Sequence, residues 1–156
     1  MALLLGLRGH SKALLMWALL IPLTILPAVA ERKAIDWDKR LKKGYYELSI
    51  GNMEKAIKIF SSEAKKHPEA GPPHTALGRA LKKDAKKMEA KGEFRRATEV
   101  DPSYPDAYYE LGAMMESDKE YALAAQAFET YLQLAPYSTR KVGVSERIRF
   151  CKEHQQ

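Results

Sequence analysis

The chain holds a single cysteine, Cys151, among its 156 residues. One thiol can form neither an intrachain disulfide nor a cysteine-based zinc site, and its default role is a small apolar side chain. Histidine is also scarce, with only His10, His67, His74 and His154. His67 and His74 flank a proline-rich turn, but two imidazoles do not complete a metal site, so both read as structural. A Gly-rich phosphate loop, a Gly-x-Ser-x-Gly elbow and a His-Glu-x-x-His pair are all missing. No residues fill the roles of nucleophile and base, which argues against an enzyme and against a bound cofactor.

Acidic side chains are absent from Met1 to Ala30. That stretch has two cations, Arg8 and Lys12, then an apolar run from Ala13 to Leu26, then Pro27-Ala28-Val29-Ala30. A charged start, an apolar middle and an Ala-x-Ala exit describe a secretory signal peptide over 1–30, cleaved after Ala30. No twin-arginine pair precedes the run, which favours the general secretory route. No cysteine stands at the exit, which excludes bacterial lipoprotein processing. The alternative is a retained anchor. Ala13 to Ala30 is 18 residues, near the lower limit for a span, and Pro22 and Pro27 weaken it. Arg32, Lys33, Lys39, Arg40, Lys42 and Lys43 follow closely. The positive-inside bias would keep such a cluster on the cytoplasmic side. The expectation is an exported protein, periplasmic or extracellular in a bacterial envelope, with a membrane-anchored form as the alternative.

Composition is 46% hydrophobic and 29% charged, as in a soluble helical domain. Beyond the leader, 24 basic residues face 20 acidic ones, a balance of +4. That is too little for a nucleic-acid-binding face, and it leans toward acidic partners or envelope surfaces. The charge is uneven. Residues 37–70 and 71–104 each carry 8 basic and 5 acidic side chains, whereas 105–138 carry 1 basic and 6 acidic. Residues 139–156 return to 5 basic and 2 acidic. Such segregation is either an unevenly solvated surface or a field that steers a partner.

Prolines 68, 102 and 136 are 34 residues apart, and other landmarks keep the same step. Gly44, Gly78 and Gly112 recur in phase, as do Ala56, Ala90 and Ala124, and Phe60, Phe94 and Phe128. A fixed period of this length signals a solenoid of helical hairpins. Small residues belong where two helices cross closely, an aromatic is expected to fill the space between one hairpin and the next, and proline closes each unit. The apolar spacing and turn signals predict helices at 37–49, 53–66, 72–84, 87–99, 105–117 and 121–134. Within 139–156, Val144, Ile148 and Cys151 fall on one face of a seventh helix, suited to capping the last open end. The second unit looks irregular. Its internal turn reads Lys82-Lys83-Asp84-Ala85-Lys86-Lys87, without the glycine or Ser-Asp break of its neighbours, and Gly92 sits inside its second helix. A longer first helix or a looser turn is expected there.

The slots resemble the tetratricopeptide repeat family over Trp37 to Ser138. The third unit fits best, with Tyr108, Leu111, Gly112, Ala124, Phe128 and Pro136 in register. The second carries His74 in the position of the family tryptophan. The first has Arg40 and Lys43 at two apolar slots, as suits a terminal unit. The resemblance implies an all-α, right-handed superhelical solenoid of antiparallel helix pairs. The implied units are 37–70, 71–104 and 105–138, with a cap at 139–156, giving about seven helices after the leader. It also implies a protein-interaction scaffold whose first helices line a concave groove. By that resemblance Leu41, Tyr45, Leu48, Thr75, Arg79, Lys82, Asp106, Tyr109 and Glu116 would face the partner, as would Asp38 and Ala113. Tyr45 and Tyr109 would anchor it, and Arg79 and Lys82 would grip a carboxylate. Family members that clamp chaperone tails use Lys and Asn side chains. Here Leu41, Tyr45, Ala76, Asp106 and Glu110 hold the corresponding places, which argues against that mode. The implied partner is a protein or peptide, not nucleic acid, and a membrane only if the leader is retained.

Overall fold

A computed structural model describes residues 35–155; the leader expected at 1–30 lies outside the described residues. Seven α-helices follow one another: α1 (Trp37–Ser49), α2 (Met53–Lys66), α3 (Gly71–Lys83), α4 (Lys87–Val100), α5 (Pro105–Ser117), α6 (Tyr121–Leu134) and α7 (Lys141–His154). Each helix packs on the next, and the odd-numbered helices α1, α3 and α5 also meet one another. The architecture is therefore three antiparallel hairpins stacked in sequence and closed by α7.

Local chemistry sets the helix ends. Asp36 caps α1 by accepting the Lys39 N–H at 3.0 Å, and Asn52 caps α2 through Lys55 N–H at 3.4 Å. Proline occupies the first turn of α3 and of α5, where no backbone donor is lost. All three hairpins turn in the same way. The N–H groups of Asn52, Lys86 and Glu120 donate to the carbonyls of Glu47, Leu81 and Met115 at 2.9, 2.9 and 2.8 Å. The residue before each donor is left-handed: Gly51 at φ 82°, Ala85 at 60° and Lys119 at 64°. This pair of features is the Schellman closure of a helix. The second unit is thus no looser than its neighbours, and α3 has the same 13 residues as α1 and α5. The closing hydrogen bonds impose the turn on an alanine that prefers other conformations.

The recurring landmarks pack as a ladder. Phe60, Phe94 and Phe128 are fully buried, and each ring lies against the glycine sixteen residues before it, at Gly44, Gly78 and Gly112. Leu41, Leu48, Ala76, Ala80 and Leu81 extend the core through the first two hairpins. A second cluster gathers Phe128 and Tyr131 with Val144 and Cys151 of α7. The cap therefore buries Val144 and Cys151, while Ile148 is partly buried. Burial pushes the Cys151 thiol above its ordinary value, as expected of an inert packing residue. His74 is buried in its slot, with Nδ1 2.8 Å from Glu93 Oε2.

Candidate functional site

The face formed by α1, α3, α5 and α7 carries one connected set of polar side chains. Arg79, on α3, is its hub. Its Nη2 donates to Asp106 Oδ2 at 2.7 Å, its Nε to Glu110 Oε1 at 2.8 Å and its Nη1 to Tyr45 Oη at 3.3 Å. Lys82, one turn along, donates to Glu110 Oε2 at 2.6 Å. A planar guanidinium is suited to bridging two carboxylates at once. Burial would pull the Arg79 pKa down, but the bonds to Asp106 and Glu110 outweigh it and hold it above its ordinary value. Burial likewise pushes Glu110 up, but Lys82 and Arg79 outweigh it and hold its carboxyl below the usual range. These groups are therefore charged at neutral pH and matched to each other.

The cap extends the set. Arg140 approaches Asp106 Oδ1 at 3.4 Å and lies over the Tyr109 ring, 4.9 Å from its centroid. Arg147 forms an ion pair with Glu116 and lies 4.3 Å from the Phe128 centroid. Tyr109 also packs against Tyr131, with ring centroids 5.4 Å apart.

Six of the nine residues expected to line a groove are brought together here: Tyr45, Arg79, Lys82, Asp106, Tyr109 and Glu116. The other three differ from expectation. Leu41, Leu48 and Thr75 are buried and present no surface to a partner. They hold the same repeat positions as Tyr109 (41, 75, 109) and as Lys82 and Glu116 (48, 82, 116), so a first-helix position does not by itself decide exposure. Arg140 and Arg147 are the residues that sequence reasoning missed. The cue was in the sequence, because 113 and 147 continue the 34-residue step of Tyr45 and Arg79, so α7 stands where a fourth first helix would.

The charge segregation also acquires a structural role. All six acidic side chains of 105–138 meet a cation from a neighbouring unit. Asp106, Glu110 and Glu116 are held as described. Asp118 and Glu120 share Lys91 at 2.6 and 2.9 Å, and Glu129 takes Lys152 at 2.6 Å. Hydrogen bonding to Asp118 is the main reason the Lys91 pKa lies above its ordinary value. The acidic hairpin is stapled between basic ones. Among the described residues no three His, Cys, Asp or Glu side chains converge on a metal position, and no helix is long and apolar enough to cross a membrane.

Stacked helical hairpins with a ladder of buried aromatics and a polar inner face define a helical-repeat scaffold. Residues 75–139 match the family model of the tetratricopeptide repeat. Those residues carry the tetratricopeptide repeat, and the fold of the seven helices is that of tetratricopeptide repeat domains. No curated protein matches its sequence. Its fold is similar to the TPR2B domain of yeast Sti1, solved as a pHsp70 complex, with a TM-score of 0.67 at 18% identity over 76% of this chain and 98% of that one. It is also similar to the Yersinia enterocolitica type III secretion translocator chaperone SycD, with a TM-score of 0.65 at 14% identity over 74% of this chain and 82% of that one. MamA gives a TM-score of 0.63 at 24% identity over 76% of this chain and 67% of that one.

Proposed function

We propose that the domain captures a peptide segment of a partner protein on the α1–α3–α5–α7 face, in an exported protein of a bacterial envelope. The observation that carries this reading is the surplus of cations on a half-exposed aromatic floor. Arg79, Lys82 and Arg140 serve only two carboxylates, Asp106 and Glu110. Arg140 is the loosely held member, 49% exposed and at the longest of these distances. A carboxylate on the partner would meet Arg140 beside the Tyr109 ring, with Tyr45 as a second aromatic contact. One structural neighbour, the first TPR of Spaghetti (RPAP3), is solved bound to the HSP90 peptide SRMEEVD, which supports an acidic peptide as the ligand class. The mode of grip would differ, since Asp106 and Glu110 stand where chaperone-tail clamps need cations or amides.

The test is photo-crosslinking in the native host from Tyr109, compared with Leu123 on the exposed side of α6. Adducts from position 109 alone, lost in Arg140→Glu with an unchanged melting temperature, are expected. Equal adducts from both positions would discard the groove. Export rests on the leader, and N-terminal sequencing of the purified protein checks it: a first residue of Glu31 supports cleavage. A first residue of Met1 favours the second reading, a membrane-anchored assembly component.

A further inference from the structure

The third hairpin has a cation for every carboxylate, whereas the first has cations to spare. On α1 and α2, Glu47 is taken by Lys55 at 2.6 Å, and Glu63 by Arg40 and by Lys66 at 2.9 Å. Asp36 is occupied as the cap of α1. Lys39, Lys42, Lys43, Lys58 and Lys65 are exposed, with no carboxylate at ion-pair distance among the described residues. Asp38 and Glu54 are the carboxylates of the same helices without an ion pair among the described residues. Two of the surplus lysines, Lys43 and Lys58, border a shallow hollow of about 500 Å³ that the paired Lys55, Lys66 and Glu63 and the side chains of Ile59 and Ser62 also line. Lys39, Lys43, Tyr46 and Ile50 follow helical spacing along the outer stripe of α1. Tyr46 is 62% exposed and Ile50 59% exposed.

We propose that this outer face of α1 and α2 docks peripherally on an anionic lipid surface. The ammonium groups match the headgroup charge, and lysine stems, tyrosine and isoleucine suit the boundary between headgroups and acyl chains. A purely electrostatic partner would have no use for exposed Tyr46 and Ile50 among the lysines. The opposite end of the domain provides a contrast. There α7 also exposes apolar groups, Val142 and Phe150, but Arg149 has Glu153 at 4.0 Å and shares a hollow with Glu146. Nothing in this assignment depends on the peptide-binding groove, or on whether the leader is cleaved.

The experiment sediments the full chain with vesicles of phosphatidylcholine alone, and with phosphatidylglycerol added, at low salt. Any leader contribution is common to all variants. Lys43→Glu/Lys58→Glu is expected to lower partitioning onto the anionic vesicles by about tenfold or more, since each basic residue near such a surface contributes roughly that order when reversed. Partitioning onto phosphatidylcholine should not change. Lys141→Glu/Arg149→Glu, with the same charge change on α7, should alter anionic binding by less than about twofold. Equal losses in both double variants would overturn the proposal, as would equal binding to both vesicle types by the unmodified chain. Displacement of the vesicles by a poly-glutamate peptide at matched charge, with that peptide's binding lost in the same variant, would reassign the face to an acidic protein.

Discussion

The ring of Phe94 occupies the place a side chain at Gly78 would need: a Cβ there would come within 2.5 Å of the ring. The same pairing joins Gly112 to Phe128 and Gly44 to Phe60. The recurring glycine is therefore part of the interhelix packing, since it admits the aromatic edge against the helix backbone. Gly78→Ala should cost about 1–3 kcal/mol through overpacking, although alanine favours the helix. Gly92, on α4, faces open space, with nothing within 4 Å of the position a methyl group would take. Gly92→Ala should instead stabilise by up to about 1 kcal/mol. Opposite shifts in the urea midpoint would verify both; a gain in Gly78→Ala would refute the packing account.

Ala85 and Lys119 hold left-handed backbones where the first hairpin uses Gly51. A non-glycine residue in that region is strained by about 1–2 kcal/mol. Ala85→Gly should recover part of that, about 1 kcal/mol, with the greater freedom of glycine in the unfolded chain offsetting the rest. Thermal melts of Ala85→Gly, Lys119→Gly and the double variant measure it. Both positions are exposed, so no packing change clouds the comparison.

The 34-residue step shows why so much of this fold was legible. Glycine, alanine, phenylalanine and proline each do a local job, so their recurrence places the crossings and turns directly. The second hairpin misled because its turn residues are not turn formers. Lys82 to Lys87 names no glycine, and the Lys86 N–H bond to Leu81 and the left-handed Ala85 show that the turn is kept. The groove was harder to read. Whether a first-helix residue is buried, like Thr75, or half-exposed, like Arg79, depends on which neighbour it meets. The charge blocks were visible in the sequence, but their role was not. Arg79 and Glu110 are 31 positions apart, and pairing them requires knowing that α3 lies beside α5.

Glu110 gives stability a pH dependence. Its folded carboxyl titrates below the usual range because Lys82 and Arg79 overcome the effect of burial. A depressed carboxylate contributes stability above its unfolded pKa, near 4.3, and loses it as pH falls through the folded value. Glu110→Gln should therefore cost about 1–3 kcal/mol at pH 7, where Arg79 and Lys82 lose a charged acceptor. The gap should close in acid, as the native carboxyl also becomes neutral. Denaturant titrations at neutral pH and well below pH 4 follow this, and a gap that persists in acid would show that packing, not charge, sets the cost.

The cap should prove necessary for solubility as well as for charge matching. Residues 139–156 supply Val144 and Cys151 to the cluster around Phe128 and Tyr131. They also supply Arg147 to Glu116 and Lys152 to Glu129. A chain ending at Ser138 would open that apolar end and strand two carboxylates on the acidic hairpin. Exposed apolar ends of stacked repeats associate, because each hairpin buries its face only against a neighbour. The truncated chain should melt lower and self-associate with rising concentration, as read by sedimentation velocity. Adding Glu116→Gln and Glu129→Gln should ease the charge repulsion and deepen the association, which separates the apolar cause from the electrostatic one. A truncated chain that stays monomeric with an unchanged melting temperature would show that α7 is not the cap of the repeat stack.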